Sequence, residues 1–202
     1  MTSLQIDKRK EELENLDELI ESIFYDTFGD PVKNDKGWEV KKLGEFGEFK
    51  NGINFFKNSK GNVIRYIGVG DFQTLFKISD FKFLNEAALE EPLDDVYFLQ
   101  KEDILFVRSN GNKNLVGRSI IVYPGENKII FSGFCIRFRK YENNINIIFL
   151  NSQFKYGVMK NRLSKSVRGA NIQNLNQKIL SNLEIILPPY IYKMNLQKKL
   201  KQ

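Results

Sequence analysis

An apolar seam runs through residues 5–28 of the chain and stops abruptly at Gly29-Asp30-Pro31. Its 7-3-4-3 spacing is the a/d repeat of a helix that packs side by side with another helix. The seam consists of Ile6, Leu13, Leu16, Ile20 and Ile23, with Arg9 at one d position and Leu19, Phe24 and Phe28 widening its C-terminal end. Because a helix of about three heptads is marginal by itself, it needs a partner helix from the same chain or from a second copy. The residues predicted to pair with another helix are Leu13, Leu16, Ile20 and Ile23.

After Trp38 the sequence changes to short β-branched and aromatic runs separated by Gly, Asn and Pro, a pattern typical of strands and turns. The runs are EVKKLGEFGEFKNG, VIRYIGVGDF, DILFVRS, RSIIVYP, IIFSGFCIRFRK and LEIILPP. Residues 146–163 carry a helical apolar spacing, and Asn171 or Asn174 is predicted to cap a short helix near 174–182. Pro188-Pro189 then forces an extended backbone ahead of a lysine-rich helical segment.

The sequence therefore predicts an α+β protein in three parts. Residues 1–30 form a coiled-coil-type helix, residues 31–189 form a mostly-β domain with small helices, and residues 190–202 begin a second helix.

Composition excludes several classes of enzyme. The 202 residues contain no histidine and one cysteine, Cys135, inside the apolar strand-like run FSGFCIRF. Zinc sites and Ser-His-Asp or Cys-His machinery are thereby excluded, whereas carboxylate-based metal sites stay possible. No run approaches the roughly 18 apolar residues of a membrane helix, and the N-terminus lacks the apolar centre of a secretory signal. We expect a cytoplasmic protein without membrane association.

Charge is spread unevenly along the chain. Residues 1–30 have a net charge of −6, and the remaining residues have a net charge of +12. Ten basic residues and a single acidic one, Glu184, lie in residues 155–202. This asymmetry favours a polyanionic partner, nucleic acid first and a membrane surface second, with ordinary solvated lysines as the alternative.

Three stretches resemble enzyme motifs and fail on inspection. Leu187-Pro188-Pro189-Tyr190 has leucine where the Asn/Asp-Pro-Pro-Tyr motif of adenine-amino methyltransferases needs a side chain that accepts a hydrogen bond from the target amino group. Gly68-Val69-Gly70-Asp71 lacks the third glycine and the following helix of a dinucleotide-binding loop. Gly111 and Gly117 lack the Gly-Lys-Ser/Thr ending of a phosphate loop and lead into a strand.

Residues 105–119 instead predict a strand-loop-strand hairpin, with Asn110-Gly111 and Asn112 favouring positive φ at its tip. Its loop is rich in Arg, Asn and Lys and contains no acidic residue, a composition that suits phosphate oxygens and base edges. The candidate DNA contacts are Arg108, Asn110, Asn112, Lys113, Asn114 and Arg118. The alternative is a hydrophilic hairpin whose arginines pair with Asp103 or Glu102.

Two further segments are candidates for DNA contact. Residues 164–174 combine hydroxyls, an arginine, a glycine and amides in one loop. Such a loop can bind a phosphate of the DNA backbone. The alternative is that its side-chain amides form hydrogen bonds only with the loop's own backbone. Its candidates are Lys165, Ser166, Arg168 and Asn171. In FFKNSKGN, the residues Lys57, Asn58 and Lys60 are predicted phosphate contacts.

The order of these pieces resembles the DNA-specificity (S) subunit of type I restriction-modification systems over nearly all 202 residues. The pieces are a heptad helix running into FYDTFGDP, then GWEVKKLGEFGEFKNG, RYIGVGDF, DILFVRSNGNKNLVGRS with SGFCIRF, and VRGANIQNLNQKILSNLEIILPP. The resemblance implies a target recognition domain for one half of a bipartite duplex DNA site, and a helix that sets the spacing to a second such domain. It also implies a non-catalytic chain whose partners are modification subunits, which bind S-adenosylmethionine, and a restriction subunit.

The chain departs from a full family member, which has two recognition domains and two long helices. Its single helix and domain follow the order of a C-terminal half, and Tyr190-Ile191-Tyr192 follows Pro-Pro where the family usually has Leu and a nearby Gln. These departures leave three alternatives for the chain: a half-subunit, a silent gene cassette or a truncated fragment. If it is a half-subunit, a homodimer formed through the N-terminal helix would restore two recognition domains. Two other interpretations are the recognition domain of a single-chain restriction-methylation enzyme and a coiled-coil scaffold with an incidental basic surface.

Overall fold

The computed structural model describes residues 3–54, 61–72, 75–89, 92–141, 145–156, 159, 163 and 175–189, without the side chains of 3–7, 9–11, 13–17 and 113. The helices are α1 (Ser3–Phe28), α2 (Ile147–Lys155) and α3 (Gln177–Ser181). The strands are β1 (Glu39–Lys42), β2 (Gly47–Asn51), β3 (Asn62–Ile67), β4 (Lys77–Ile78), β5 (Asn85–Leu89), β6 (Asp103–Val107), β7 (Ser119–Val122), β8 (Ile129–Phe131), β9 (Cys135–Lys140) and β10 (Glu184–Leu187). No helix within these ranges is long and apolar enough to cross a membrane.

The strands form three sheets. The largest has five strands in the order β2-β9-β6-β7-β4, in which β4 is parallel to β7 and the other neighbours are antiparallel. A second sheet has the order β5-β3-β8, and β1 pairs with β10 in a third. The mixed, mostly-β architecture with small helices confirms the α+β part of the predicted fold class. The coiled-coil character of α1 stays a prediction, and the predicted second helix at 190–202 lies outside the described residues. The run IIFSGFCIRFRK, however, is divided between β8 and β9, which belong to different sheets.

Strand β6 is buried along its entire length, because both faces of the five-stranded sheet are covered at its centre. Ile104 and Phe106 point to the face on which α2 and α3 pack. Leu105 and Val107 point to the opposite face and meet residues of β3 and β8. A strand covered on both sides has no polar face, which explains why DILFV lacks the alternation of a half-exposed strand.

The last turns of α1 pack against the domain that follows it. Phe24 and Phe28 are fully buried, and their rings lie 6.0 and 4.8 Å from the ring of Phe149 in α2. Ile20 and Ile23, two of the predicted helix-pairing residues, are partly buried beside this cluster. The side chains of the other two, Leu13 and Leu16, lie outside the description. The C-terminal end of the seam therefore packs against a surface of the same chain.

The end of α1 follows the prediction from Gly29-Asp30-Pro31. Gly29 has a φ of +75°, and its N–H donates to the carbonyl of Tyr25 at 2.8 Å. The Trp38 indole N–H donates to the carbonyl of Phe28 at 2.8 Å, which satisfies one of the last carbonyls of the helix.

The caps of the small helices differ in part from prediction. Asn146 Oδ1 accepts from the N–H of Phe149 at 2.9 Å, and α2 occupies the first part of the helical span predicted for 146–163. Helix α3 is capped by Asn176, whose Oδ1 accepts from the N–H of Ile179 at 2.9 Å. The predicted cap at Asn171 or Asn174 is therefore wrong, because α3 begins later than the sequence suggested.

We expect Phe28→Ala to lower the free energy of unfolding by about 3–5 kcal/mol, because it leaves a cavity where α1 meets α2. Leu19→Ala is the control on the same helix, since the Leu19 side chain is 56% exposed. It is expected to change the free energy by less than about 0.5 kcal/mol. Urea unfolding followed by circular dichroism measures both, and equal effects would show that α1 is not docked as described.

Candidate nucleic-acid interface

The hairpin predicted at 105–119 is present. Strands β6 and β7 pair antiparallel from Asp103 opposite Val122 to Phe106 opposite Ser119. The N–H of Val107 donates to the carbonyl of Arg118 at 2.9 Å, and the N–H of Gly117 donates to the carbonyl of Val107 at 2.9 Å. The connecting loop thus leaves the sheet from its central strand, at the end opposite Asp103.

The tip of this loop is not built with positive φ at Asn110, Gly111 or Asn112, so that prediction is wrong. Side-chain oxygens turn the chain instead: Asn110 Oδ1 accepts from the N–H of Asn112 at 2.8 Å, and Asn112 Oδ1 accepts from the N–H of Asn114 at 3.0 Å. A short 3₁₀ turn follows at Lys113–Leu115, and the positive φ falls on Gly117 at +85°. The asparagines therefore set the loop conformation through their oxygens and keep their amide nitrogens as donors.

Arg108 is held at the base of the loop. Its N–H donates to the carbonyl of Phe134 at 2.8 Å, and its Nη1 donates to the carbonyl of Gly133 at 3.4 Å. Its own carbonyl accepts from the N–H of Leu175 at 2.9 Å. The half-buried Arg108 therefore connects the hairpin to the turn between β8 and β9 and to the segment that precedes α3.

The two carboxylates considered as partners for the loop arginines are bound by basic residues of β9. The two oxygens of Asp103 accept from Arg139 Nε and Nη2 at 2.8 and 2.7 Å, and Glu102 pairs with Lys140 at 2.6 Å. Arg108 donates to a backbone carbonyl and not to either acid. The alternative of a self-paired hairpin is therefore wrong for Arg108.

A further ion pair, between Arg137 and Glu48, lies beside that of Arg139 and Asp103. Arg137, whose side chain is fully buried, donates to Glu48 at 2.6 Å and to the carbonyl of Val96 at 2.7 Å. Burial, followed by the nearby charge of Arg139, lowers the pKa of the Arg137 guanidinium, and Asp103 and Glu48 raise it. Sequence reasoning missed this pair, although arginines at alternate positions of an apolar strand point to one face and signal a charge partner there.

The loop borders a groove of about 1130 Å³ between the hairpin and the three-stranded sheet. Ser109, Asn110 and Gly111 form one side of it. The remaining lining residues come from β3 and β5, from Gly68 and the 3₁₀ turn Val69–Asp71 that follows it, and from Asn54, Ser132 and Phe134. The lining combines polar side chains with two aromatic rings, Tyr66 and Phe134, and two carboxylates, Asp71 and Glu86.

Residues 35–199, more than half of the chain, match the family model of the type I restriction modification DNA specificity domain. The chain belongs to this family. The type I restriction enzyme StySPI specificity subunit of Salmonella potsdam is 29% identical over 171 residues, which cover 82% of this chain and 36% of that protein.

Two solved structures share the fold of this specificity domain. The HsdS subunit from Thermoanaerobacter tengcongensis superposes with a TM-score of 0.63 at 18% identity, over 97% of this chain and 45% of that chain. The type I restriction-modification S subunit from M. genitalium has a TM-score of 0.57 at 17% identity, over 97% of this chain and 52% of that one. The chain therefore spans about a third to a half of the length of these relatives.

The other predicted contacts divide into two groups. Asn112 and Asn114 are exposed and Arg118 is half-buried in the hairpin loop, together with the backbone of Lys113. Seven candidates lie outside the described residues: Lys57, Asn58, Lys60, Lys165, Ser166, Arg168 and Asn171. Two of the described residues that adjoin their segments, Asn54 and Leu175, lie at the hairpin end of the specificity domain.

Asn54 is placed by a strap that runs along the β8–β9 turn. The N–H of Ile53 donates to the carbonyl of Phe131 at 3.0 Å, and the N–H of Gly133 donates to the carbonyl of Ile53 at 2.7 Å. Both Gly52 and Gly133 are tightly packed, and a Cβ on Gly133 would lie 2.1 Å from Asn54 Oδ1. The strap and the turn therefore form one closely fitted wall of the groove.

The single cysteine plays no chemical part in this site. Cys135 is fully buried in β9. Burial, and after it the negative charge of Asp71, raises the pKa of the Cys135 thiol to about 12, so the thiolate that acts as a nucleophile is not populated at neutral pH. Among the described residues, no group of three or more Cys, Asp or Glu side chains is placed to hold a metal ion.

We expect Gly52→Ala to lower the free energy of unfolding by about 1–3 kcal/mol by overpacking the strap. The new Cβ would lie 2.2 Å from the carbonyl oxygen of Ser132 and 2.5 Å from that of Phe131. Gly70→Ala is the matched control, since a Cβ there meets nothing within 4 Å. Chemical unfolding of both variants measures the difference, and a stable Gly52→Ala protein would contradict the close fit of strap and turn.

Proposed function

We propose that this chain binds duplex DNA in a sequence-specific manner and directs a type I restriction-modification complex to one half of a bipartite site. The match of residues 35–199 to the DNA specificity domain carries this proposal. The chain supplies recognition and no catalysis, whereas the partner modification subunits bind S-adenosylmethionine and a restriction subunit cleaves.

The hairpin end has the donors that direct readout of DNA requires. Arginine donates in bidentate fashion to guanine and asparagine bonds adenine, both in the major groove. Arg108, Asn110 and Asn112 carry these two chemistries in the hairpin loop, and Asn110 lines the groove. Lys113, Asn114 and Arg118 continue the same loop and are proposed as further base or phosphate contacts.

In the proposed assembly, the two ends of the α1 seam contact different partners. Its C-terminal turns pack on the chain's own domain through Phe24 and Phe28. Leu19 stays exposed there, and Leu13 and Leu16 stand one to two turns earlier in the same helix. We propose that this earlier part of α1 pairs with a helix of a second recognition unit, in a second copy or in the same subunit, and so places two domains on the DNA.

We expect the affinity of the wild-type chain for duplex DNA to fall steeply with salt. Each phosphate neutralised by a basic side chain releases counterions, which contributes a slope of about −0.9 to the log–log plot of binding constant against salt concentration. Fluorescence anisotropy with a labelled duplex between low and physiological salt measures this slope. If the chain shows no binding to duplex DNA even at low salt, the proposed function is wrong.

Arg108→Ala is expected to weaken binding to the recognised duplex by about 1–3 kcal/mol and to relax the preference at one base position. Lys101→Ala is the matched control, because it removes one positive charge from an exposed turn at the opposite end of β6. Methylation mapping of cells that co-express each variant with the modification subunits reads out the preference. An unchanged motif for Arg108→Ala would remove Arg108 from the proposed reading edge.

A further inference from the structure

Phe134 is a large apolar side chain that the fold exposes at the edge of the groove. It is 56% exposed, although Gly133 before it and Cys135 after it are buried. Single exposed apolar side chains are common on protein surfaces, so it is the position of this ring in the lining of the groove that makes it a candidate for a contact. The residue belongs to the turn between β8 and β9, which the prediction of DNA contacts did not include.

The backbone on both sides of this ring is fixed. The carbonyl of Phe134 accepts from the N–H groups of Arg108 and Ser109 at 2.8 and 3.4 Å. The N–H of Phe134 donates to Ser132 Oγ at 3.3 Å. The N–H of Cys135 donates to the carbonyl of Ser132 at 2.8 Å, which closes the turn. The ring is therefore presented from a preorganised turn, so a ligand that covers it bears little cost of ordering the protein.

The neighbours of Phe134 define the chemistry of what covers it. Arg108 donates from its guanidinium to the carbonyl of Gly133, one residue before Phe134. Asn54, Asn110 and Tyr66 line the same groove. Guanidinium and carboxamide groups recognise base edges, and phenylalanine contacts the thymine methyl group or the apolar surface of a base.

We propose that Phe134 contacts a base of the recognised duplex through its apolar ring and thereby determines part of the sequence preference. This inference rests on the proposed function. The contact is to a base and not to phosphate, because an uncharged ring offers nothing to a phosphate oxygen. Phe134 and Arg108 then form one reading unit, in which the arginine bonds a base edge and the ring covers the adjacent apolar surface.

The test compares Phe134→Ala with Phe83→Ala in the full chain. Phe83 is the matched control because it is 93% exposed and does not line the groove. The probes are a duplex enriched from a random-sequence pool by the wild-type chain and a scrambled duplex of the same composition. Affinities for both are measured by anisotropy over a series of salt concentrations, and thermal unfolding checks that each variant is folded.

We expect Phe134→Ala to weaken binding to the enriched duplex by roughly tenfold and to leave binding to the scrambled duplex unchanged. The salt slope stays that of the wild type, since no counterion is released by a phenyl ring. Phe134→Leu, which keeps an apolar side chain, is expected to lose less affinity than Phe134→Ala. Phe83→Ala is expected to match the wild type on both duplexes.

Three results would overturn the inference. If Phe134→Ala binds both duplexes like Phe83→Ala, the ring touches no base. If it weakens both duplexes alike, its role is structural and not one of recognition. If it retains full duplex affinity but loses the modification subunits in a pull-down, the ring faces a protein. In each of these cases the wild-type chain still binds duplex DNA, whereas a wild-type chain that fails to bind overturns the proposed function as well.

Discussion

Burial of β6 on both faces is the constraint on which the rest of the domain depends. Because neither face of DILFV meets water, one layer must cover each side, and α2 with α3 and the three-stranded sheet are those layers. The strand is also flanked by β7 and β9 through hydrogen bonds along both edges. Arg108 and the hairpin loop follow directly after the C-terminal end of β6. Their position is therefore fixed by a strand that is buried on both faces and hydrogen-bonded along both edges.

The two ends of this central strand differ in character. Since β9 runs antiparallel to β6, Arg139 lies near Asp103 at one end, and Phe134 lies near Arg108 at the other. At the first end the buried Asp103 is paired with the partly buried Arg139, which also donates to the carbonyl of Phe98 at 2.9 Å. Such a pair stabilises little by itself, but removing one partner leaves a buried charge, so it fixes the segment that carries Phe98. At the second end, polar side chains of the hairpin loop such as Ser109 and Asn110 line the groove.

Much of the local structure was predictable because it depends on neighbours in the chain. The end of α1 at Gly29 and the hairpin around residues 105–119 follow from local backbone preferences and are confirmed. The errors are also local in kind. Asn110 and Asn112 turn the chain through their side-chain oxygens and not through positive φ, and Asn176 caps α3 where an earlier asparagine was predicted. Several residue types favour turns and caps by different mechanisms, and a single sequence does not separate them.

The sequence by itself determined the fold class, the order of its pieces and the family, because periodicity, turn residues and motif order are properties of the chain read in one dimension. The tertiary structure alone decided which residues form the groove. Phe134 looks like a core residue within FSGFCIRF, and it becomes exposed because the chain leaves one sheet at Phe131 and enters another at Cys135. Arg137 and Arg139 look like surface charges, yet Arg137 is buried and Arg139 is partly buried, each paired with a carboxylate distant in sequence. Contacts between residues so far apart depend on how the sheets pack, which no local pattern specifies.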